Sequence, residues 1–312
     1  MDNEERDRDW VEVSLLLRGE LAEPVAALLA DYLDEGVVLE RVENPQGKDG
    51  LQEAVRVYGY LPVDARLEER KERIQRALWH LSQIQDLPRP AFRPLQREDW
   101  RTAWQKNYRP IRLGRRLIVV PSWMDSPDPD REAIFISPGM AFGSGTHPST
   151  QLSLTLIDEV VDRQQRVPQA MIDIGCGSGI LSLAAARLGV PYVLGLDTDA
   201  GAVRVAESNL LENQLQNKVE FRQGSVPALI QGQFSLQRAP LVCANIIAPV
   251  LGQLLEEGLA EVVAPGGELI LSGMLASQAA ELQAALHTRG MEIVSREQDG
   301  DWVALRGRKP ED

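Results

Sequence analysis

Hydrophobic and polar positions follow two different patterns along this chain. Between residues 10 and 95 the apolar positions are short-range and mixed. Residues 11–17 form a Val- and Leu-rich run that predicts a strand, and Leu21, Val25, Leu28, Leu29 and Tyr32 then recur at helical spacing. Gly36 ends that helix, and 37–42 predicts a second strand. The segment NPQGKDG at 44–50 has turn composition. A strand at 54–60, an amphipathic helix at 64–84 with Leu67, Ile74, Leu78 and Leu81 on one face, and a strand at 91–95 complete the series. The order βαββαβ is the split-βαβ, ferredoxin-like pattern.

From about residue 117 the pattern becomes a regular alternation. Strands are predicted at 117–120, 171–174, 192–196, 219–222, 241–244, 268–272, 291–296 and 302–306. Helices are predicted at 150–163, 179–188, 200–212, 249–263 and 277–289. Such spacing predicts an α/β domain with a parallel sheet covered by helices on both faces. Only EQDGD separates the last two strands, too short for a parallel crossover, so they should close the sheet as an antiparallel hairpin. The expected organisation is a small α+β domain at 1–95, a linker helix and basic segment at 96–116, and an α/β domain at 117–312. In the linker, residues 97–116 hold seven bases against two acids, with Trp100 and Trp104 one helical turn apart. A packed interdomain helix with solvated arginines is the simpler reading; contact with nucleic-acid phosphate is the alternative.

Composition narrows the class. At 312 residues, 44% hydrophobic and 25% charged, the chain suits two globular domains and excludes a disordered or fibrous protein. A net charge of −13 opposes binding nucleic acid by bulk electrostatics but suits a basic protein partner. Two cysteines, Cys176 and Cys243, cannot frame a disulfide-rich fold, and the three histidines are too scattered for a metal site. The acidic first ten residues do not read as a signal peptide. The apolar uncharged run 239–255 spans 17 residues and is broken by prolines and polar residues, so no membrane span is expected. A soluble, cytoplasmic protein follows as the expectation.

The strongest chemical signal is Asp173-Ile-Gly-Cys-Gly-Ser-Gly179, between a short apolar strand and a helix. Gly175, Gly177 and Gly179 permit a tight turn and close backbone approach to a ligand, and the N–H groups at the helix start favour polar or anionic groups. The spacing G-x-G-x-G departs from the dinucleotide fingerprint G-x-G-x-x-G, because residue 180 is Ile, and this disfavours a nicotinamide oxidoreductase. Eighteen residues after Gly179, Asp197 ends the next strand, where an acid accepts hydrogen bonds from ribose hydroxyls. Asp199 is placed to cap the following helix.

This pair of motifs resembles the class I S-adenosylmethionine-dependent methyltransferases. The resemblance implies a seven-stranded Rossmann-like sheet with a reversed final hairpin. FGSGTHPST at 142–150 and Asn245-Ile-Ile-Ala at 245–248, with LSGMLASQ at 271–278 and the ending DWVALRGRK, narrow it further. Together they resemble the bacterial family that methylates the stalk-base protein of the large ribosomal subunit, protein eleven. The family loop usually has threonines where Ser144 and Ser149 stand, and usually Asn-Ile-Leu-Ala at 245–248.

The resemblance implies S-adenosylmethionine as cofactor, held by Phe142, Thr150, Asp173, Gly175, Gly177, Gly179, Asp197 and Asn245. It implies Asn245 as the residue that orients an attacking amine, and the ribosomal stalk-base protein as partner, modified on lysines and its N-terminal amine. Ser149 or Thr150 can cap the helix at 150, and His147 either acts directly or shapes its loop. Unlike base-flipping amine methyltransferases, the chain lacks an aromatic just after Asn245. An RNA or small-molecule amine methyltransferase and a non-enzymatic cofactor-binding protein remain the alternatives.

Overall fold

The computed structural model describes residues 10–30, 32–33, 37–43, 53–82, 87–95, 109–137, 145–163 and 167–311. It divides into two compact units, Met1–Tyr108 and Arg109–Asp312.

In the first unit, β1 (Trp10–Arg18), β2 (Val37–Glu43), β3 (Glu53–Pro62) and β4 (Ala91–Leu95) form an antiparallel sheet in the order β2-β3-β1-β4. Helices α1 (Gly19–Ala30) and α2 (Leu67–Ser82) bring Leu21, Val25, Leu29, Ile74 and Leu78 against Val13, Leu15, Leu17, Val57 and Leu61. The period-two and helical patterns of the sequence thus meet in one core, with the ferredoxin-like order the sequence implied. The turn at 44–50, the end of the helix at 83–84, and Trp100 and Trp104 lie outside the described residues.

The second unit is built on seven strands in the order β10-β9-β8-β11-β12-β14-β13. These are β8 (Met171–Ile174), β9 (Val193–Asp197), β10 (Val219–Gln223), β11 (Ala239–Asn245), β12 (Val263–Leu275), β13 (Glu292–Asp299) and β14 (Trp302–Arg308). The first five in chain order are parallel, and β13 and β14 form the expected antiparallel hairpin. The central strands are apolar on both sides because helices cover both sides. Met171, Val193, Leu241, Cys243 and Ile270 face α3 (Pro148–Arg163), α4 (Ile180–Arg187) and α5 (Ala200–Asn213). Ile172, Leu194, Val242, Leu269 and Leu271 face α6 (Val226–Ile230), α7 (Ala248–Glu256) and α8 (Ala279–Thr288).

Three expectations change. The run at 117–120 does not join the parallel sheet. It is β6 (Leu117–Pro121), the centre of a three-stranded sheet with β5 (Ile111–Leu113) and β7 (Glu132–Ile136). β7 is five residues long and follows a proline- and aspartate-rich loop, so its apolar signal is weak. The helix expected at 249–263 ends at Glu256, because Gly258 turns left-handed (φ 101°) before a single 3-10 turn at Leu259–Glu261. The five-residue α6 is too short to show helical periodicity.

One ion pair sits inside the large sheet. Glu268 and Arg306, on adjacent strands, are both buried and joined by two hydrogen bonds, and Arg308 adds a third at 2.8 Å. Burial alone would raise the Glu268 carboxyl, but the hydrogen bonds and charge of Arg306, then Arg308, hold it below the usual range. Arg306→Met strands that carboxylate and should destabilise the protein by about 3–5 kcal/mol. The urea midpoint of the single variant tests this, and the double variant Glu268→Met/Arg306→Met should recover much of the loss.

Candidate functional site

The strand order reverses between β8 and β11: the chain winds outward to β9 and β10 on one side, and to β12 on the other. Ligands of open α/β sheets bind at the carboxyl ends of the strands beside such a switch point. Five of the candidate residues described by the structure lie at the ends of β8, β9 and β11 or in the glycine loop between β8 and α4: Gly175, Gly177, Gly179, Asp197 and Asn245.

The loop after β8 is folded by backbone bonds. Gly175 and Cys176 both donate N–H to the Leu196 carbonyl, at 2.8 and 3.0 Å. Gly175, Gly177 and Gly179 all have positive φ (69°, 53° and 80°). A Cβ on Gly175 would lie 2.5 Å from Ile246 Cδ1, and one on Gly179 2.5 Å from Phe221 Cζ, so crowding by neighbouring side chains adds to the demand of positive φ for glycine. The loop therefore presents main chain where a ligand would approach.

Asp197 is half-buried at the end of β9. Its Oδ2 accepts the Gly177 N–H at 3.0 Å and its Oδ1 accepts the Asp199 N–H at 3.0 Å. Each oxygen keeps a lone pair for a hydroxyl donor. Asp199 accepts the Gly201 N–H at 2.7 Å and caps α5, as its position implied.

Asp173 lies within β8 with its side chain on the α4 side of the sheet, 1% exposed. Ser182 donates its hydroxyl to Oδ2 at 2.7 Å, while Oδ1 meets no donor among the described residues. Burial, opposed by the Ser182 bonds and aided by the Asp197 charge, pushes the carboxyl up to about 6. Cys176 and Cys243 are buried free thiols, both pushed up by burial, which suits packing and not nucleophilic chemistry.

The second half of the site is the entrance of α3. Asn245 ends β11 and donates Nδ2–H to the Thr150 hydroxyl at 3.2 Å, leaving its Oδ1 buried with no donor among the described residues. The structure thus brings together Thr150 and Asn245, 95 residues apart. Helix capping falls to neither Ser149 nor Thr150. His147 Nδ1 accepts the Ser149 N–H at 3.2 Å, and the Ser149 hydroxyl reaches the same Nδ1 at 2.7 Å. Pro148 then opens the helix, where its fixed φ suits the first turn. Phe142 lies outside the described residues.

Sequence reasoning missed four supporting residues. Ser182 holds Asp173. Ser272, opposite Asn245 on β12, donates to the Ser149 carbonyl at 3.0 Å. Gly273 (φ 88°) lets β12 pass the Ile246 backbone, where a Cβ would lie 2.5 Å from a carbonyl oxygen. Trp302 packs edge-to-face with His147, ring centroids 4.5 Å apart. Ser272, Gly273 and Trp302 fall inside stretches that carry the family resemblance, which was the available signal. Among the described residues no cluster of three or more His, Cys, Asp or Glu is placed to hold a metal, and no helix is long and apolar enough to cross a membrane.

Comparison with known proteins finds relatives over nearly the whole chain. A family model described as "Ribosomal protein L11 methyltransferase (PrmA)" matches residues 9–310. A ribosomal protein L11 methyltransferase of Chloroflexus aurantiacus is 38% identical over 328 residues, covering 97% of this chain and 98% of the relative. One from Pelotomaculum thermopropionicum is 38% identical over 322 residues, covering 96% and 99%. A crystal structure of a ribosomal protein L11 methylase from Lactobacillus delbrueckii subsp. bulgaricus is 31% identical, with a TM-score of 0.56, covering 65% of this chain and all of that one.

The buried Asp173 carboxyl has a stability consequence. Its folded value lies above its unfolded one, so ionising it opposes folding. The associated stability is complete below about pH 4 and is lost as the pH rises through about 6. Asp173→Asn removes that loss. In the absence of ligand, the variant should gain roughly 2–3 kcal/mol on the unsubstituted protein between about pH 4 and pH 8. Urea unfolding at both pH values checks the sign; a constant difference would refute it.

Proposed function

We propose that this chain, which belongs to the ribosomal protein L11 methyltransferase family, transfers methyl groups from S-adenosylmethionine to amino groups of ribosomal protein L11. The observation that carries the reading within the site is the buried Asn245 Oδ1, an acceptor with no donor among the described residues, fixed by Thr150 at the sheet's switch point.

The residues fit the cofactor. Asp197 has lone pairs for two ribose hydroxyls, the glycine loop exposes main chain beside it, and Thr150, Asp173, Gly175, Gly177, Gly179 and Asn245 would complete the cradle. When bound, S-adenosylmethionine supplies a methyl carbon on a cationic sulfonium: the amine lone pair takes the methyl as the carbon–sulfur bond breaks onto sulfur. The protein mainly has to align the reacting groups.

Its remaining task is to accept the amine in neutral form. A free lysine, with a pKa near 10.4, loses about 4.6 kcal/mol on deprotonation at pH 7, whereas an α-amino group near 7.7–8.0 loses only about 1–1.4. Asn245 Oδ1 accepts an amine N–H without carrying charge, so it orients the lone pair without stabilising the ammonium. The proton left on the methylated nitrogen passes to solvent.

The first unit is proposed as the recognition module for the protein substrate. It has its own core, independent of the catalytic unit's two clusters. The acidic chain as a whole suits a basic ribosomal protein. A soluble cytoplasmic enzyme is the setting this substrate implies.

Two experiments test the proposal. With labelled S-adenosylmethionine and purified ribosomal proteins, mass should rise in steps of one methyl on L11. Asn245→Ala should lower kcat at least a hundredfold while cofactor affinity changes less, and Asp197→Ala should instead abolish cofactor binding in calorimetry. Full turnover by Asn245→Ala would exclude its assigned role. Removing residues 1–95 should abolish methylation of L11 yet leave cofactor affinity within a few-fold; retained methylation would remove the recognition role.

A further inference from the structure

From the position of Trp302 we infer that it is a specificity-determining residue for the methylated amine: an aromatic wall that holds the alkylammonium group between successive transfers. This rests on the amine-methyltransferase reading above and adds a residue which that reading does not use.

Placement comes first. Along the carboxyl end of the sheet the order is β9, β8, β11, β12, β14. Asp197 ends β9, Asn245 ends β11 and Trp302 begins β14, which runs antiparallel to β12 and therefore starts at the same edge. With neighbouring strands about 4.8 Å apart, Trp302 lies two strands, roughly 10 Å, across the sheet from Asn245 and about three residues further along it, on the side away from Asp197. A nucleoside anchored at Asp197 extends from the β9 side, so Trp302 belongs to the half of the site left for the substrate.

Trp302 is also fixed in place. It pairs with Leu275 of β12, and the preceding Asp301 carbonyl accepts the Ala276 N–H at 2.8 Å. Its ring packs edge-to-face with His147, whose carbonyl accepts the Thr150 N–H at 3.0 Å, and Thr150 in turn holds Asn245. The indole is half-buried, although the three residues after it are fully buried core.

The chemistry gives this position a use. An unmethylated amine offers N–H groups to Asn245. Each methyl replaces one N–H, and a trimethylammonium has none, so hydrogen bonding to Asn245 fades as methylation proceeds. Each transfer also returns positive charge to the nitrogen, developing in the transition state and complete in the product, and the apolar surface grows. An aromatic face attracts such a cation electrostatically, worth roughly three- to thirtyfold in affinity depending on desolvation. Asn245 therefore governs the first methyl, and Trp302 gains importance with each later one.

The test is the methylation ladder of L11 by intact mass under limiting enzyme, with initial rates on unmethylated and previously dimethylated substrate, for the unsubstituted enzyme, Trp302→Leu and Trp302→Phe. Cofactor affinity is measured alongside as a check on folding. We expect Trp302→Leu to retain cofactor binding and to lose less kcat/KM on the first methyl than on any later one. It should lose tenfold or more on the dimethylated substrate, so that mono- and dimethyl forms accumulate. Trp302→Phe should restore most of the later steps. In a second readout, trimethylated L11 should compete better than its neutral carbon isostere for the unsubstituted enzyme, and equally for Trp302→Leu. Equal losses at every step, an unchanged ladder, or failure of Phe to rescue overturns the proposal while the amine-methyltransferase reading stands. Absence of any transfer by the unsubstituted enzyme overturns both.

Discussion

A single carbonyl organises the site. The Leu196 oxygen at the end of β9 accepts N–H groups from both Gly175 and Cys176, folding the loop after β8 over its neighbouring strand. One residue on, the Asp197 carboxylate takes the Gly177 N–H on one oxygen and the Asp199 N–H on the other. The N–H groups of Gly175, Cys176 and Gly177 are thus satisfied by β9 rather than by the turn's own side chains, and small residues suffice in it. The acid proposed to hold a ribose is the same acid that shapes the loop. Changing it would disturb a ligand contact and the wall beside that contact together.

The rest of the site follows from where the sheet changes direction. Because β8 and β11 are neighbours while their continuations wind apart, a residue ending β11 faces the loop after β8 without any chain crossing between them. Asn245 occupies that position, and helix α3, packed on the same face as Cys243, supplies Thr150 from the chain preceding the sheet. Ser272 on the next strand holds the Ser149 carbonyl, so the α3 entrance is tied to β12 as well as to β11. These links run through buried hydrogen bonds, for which loss of one partner leaves a polar group unpaired.

Much of this was legible in the sequence, for identifiable reasons. The glycine loop could be read because positive φ and close approach both demand glycine, and its spacing separates it from the dinucleotide fingerprint. Asp197 and Asp199 could be read because strand ends and helix starts have strong positional chemistry. The α3 cap could not. His147 caps through Nδ1, a role outside the usual Ser, Thr, Asp and Asn set, while the Ser149 hydroxyl bonds that same nitrogen and the Thr150 hydroxyl meets Asn245. Ser182 was invisible because its partner lies nine residues away across a loop, and nothing in helical periodicity marks a serine whose hydroxyl meets a buried acid. β7 escaped because five residues beside a proline-rich loop carry too little periodicity, and its pairing with β6 is settled by the three-dimensional core.

Two buried oxygens at the site that meet no donor among the described residues show why the side chains there are not interchangeable. Asp173 and Asn245 are both acceptors, and both face the side of the sheet covered by α3 and α4. Burial pushes the Asp173 carboxyl up, so any cationic or hydrogen-bonding group arriving beside it favours the ionised form and relieves part of that penalty. A carboxylate at 245 would do the same for the incoming amine: it would bind the ammonium strongly and thereby hold the proton that must leave before nitrogen can attack. An amide accepts the same N–H geometry while stabilising the charged form far less. On the proposed reading, charge is useful where a group has only to be held, and a neutral acceptor is required where the bound group must also lose a proton and react.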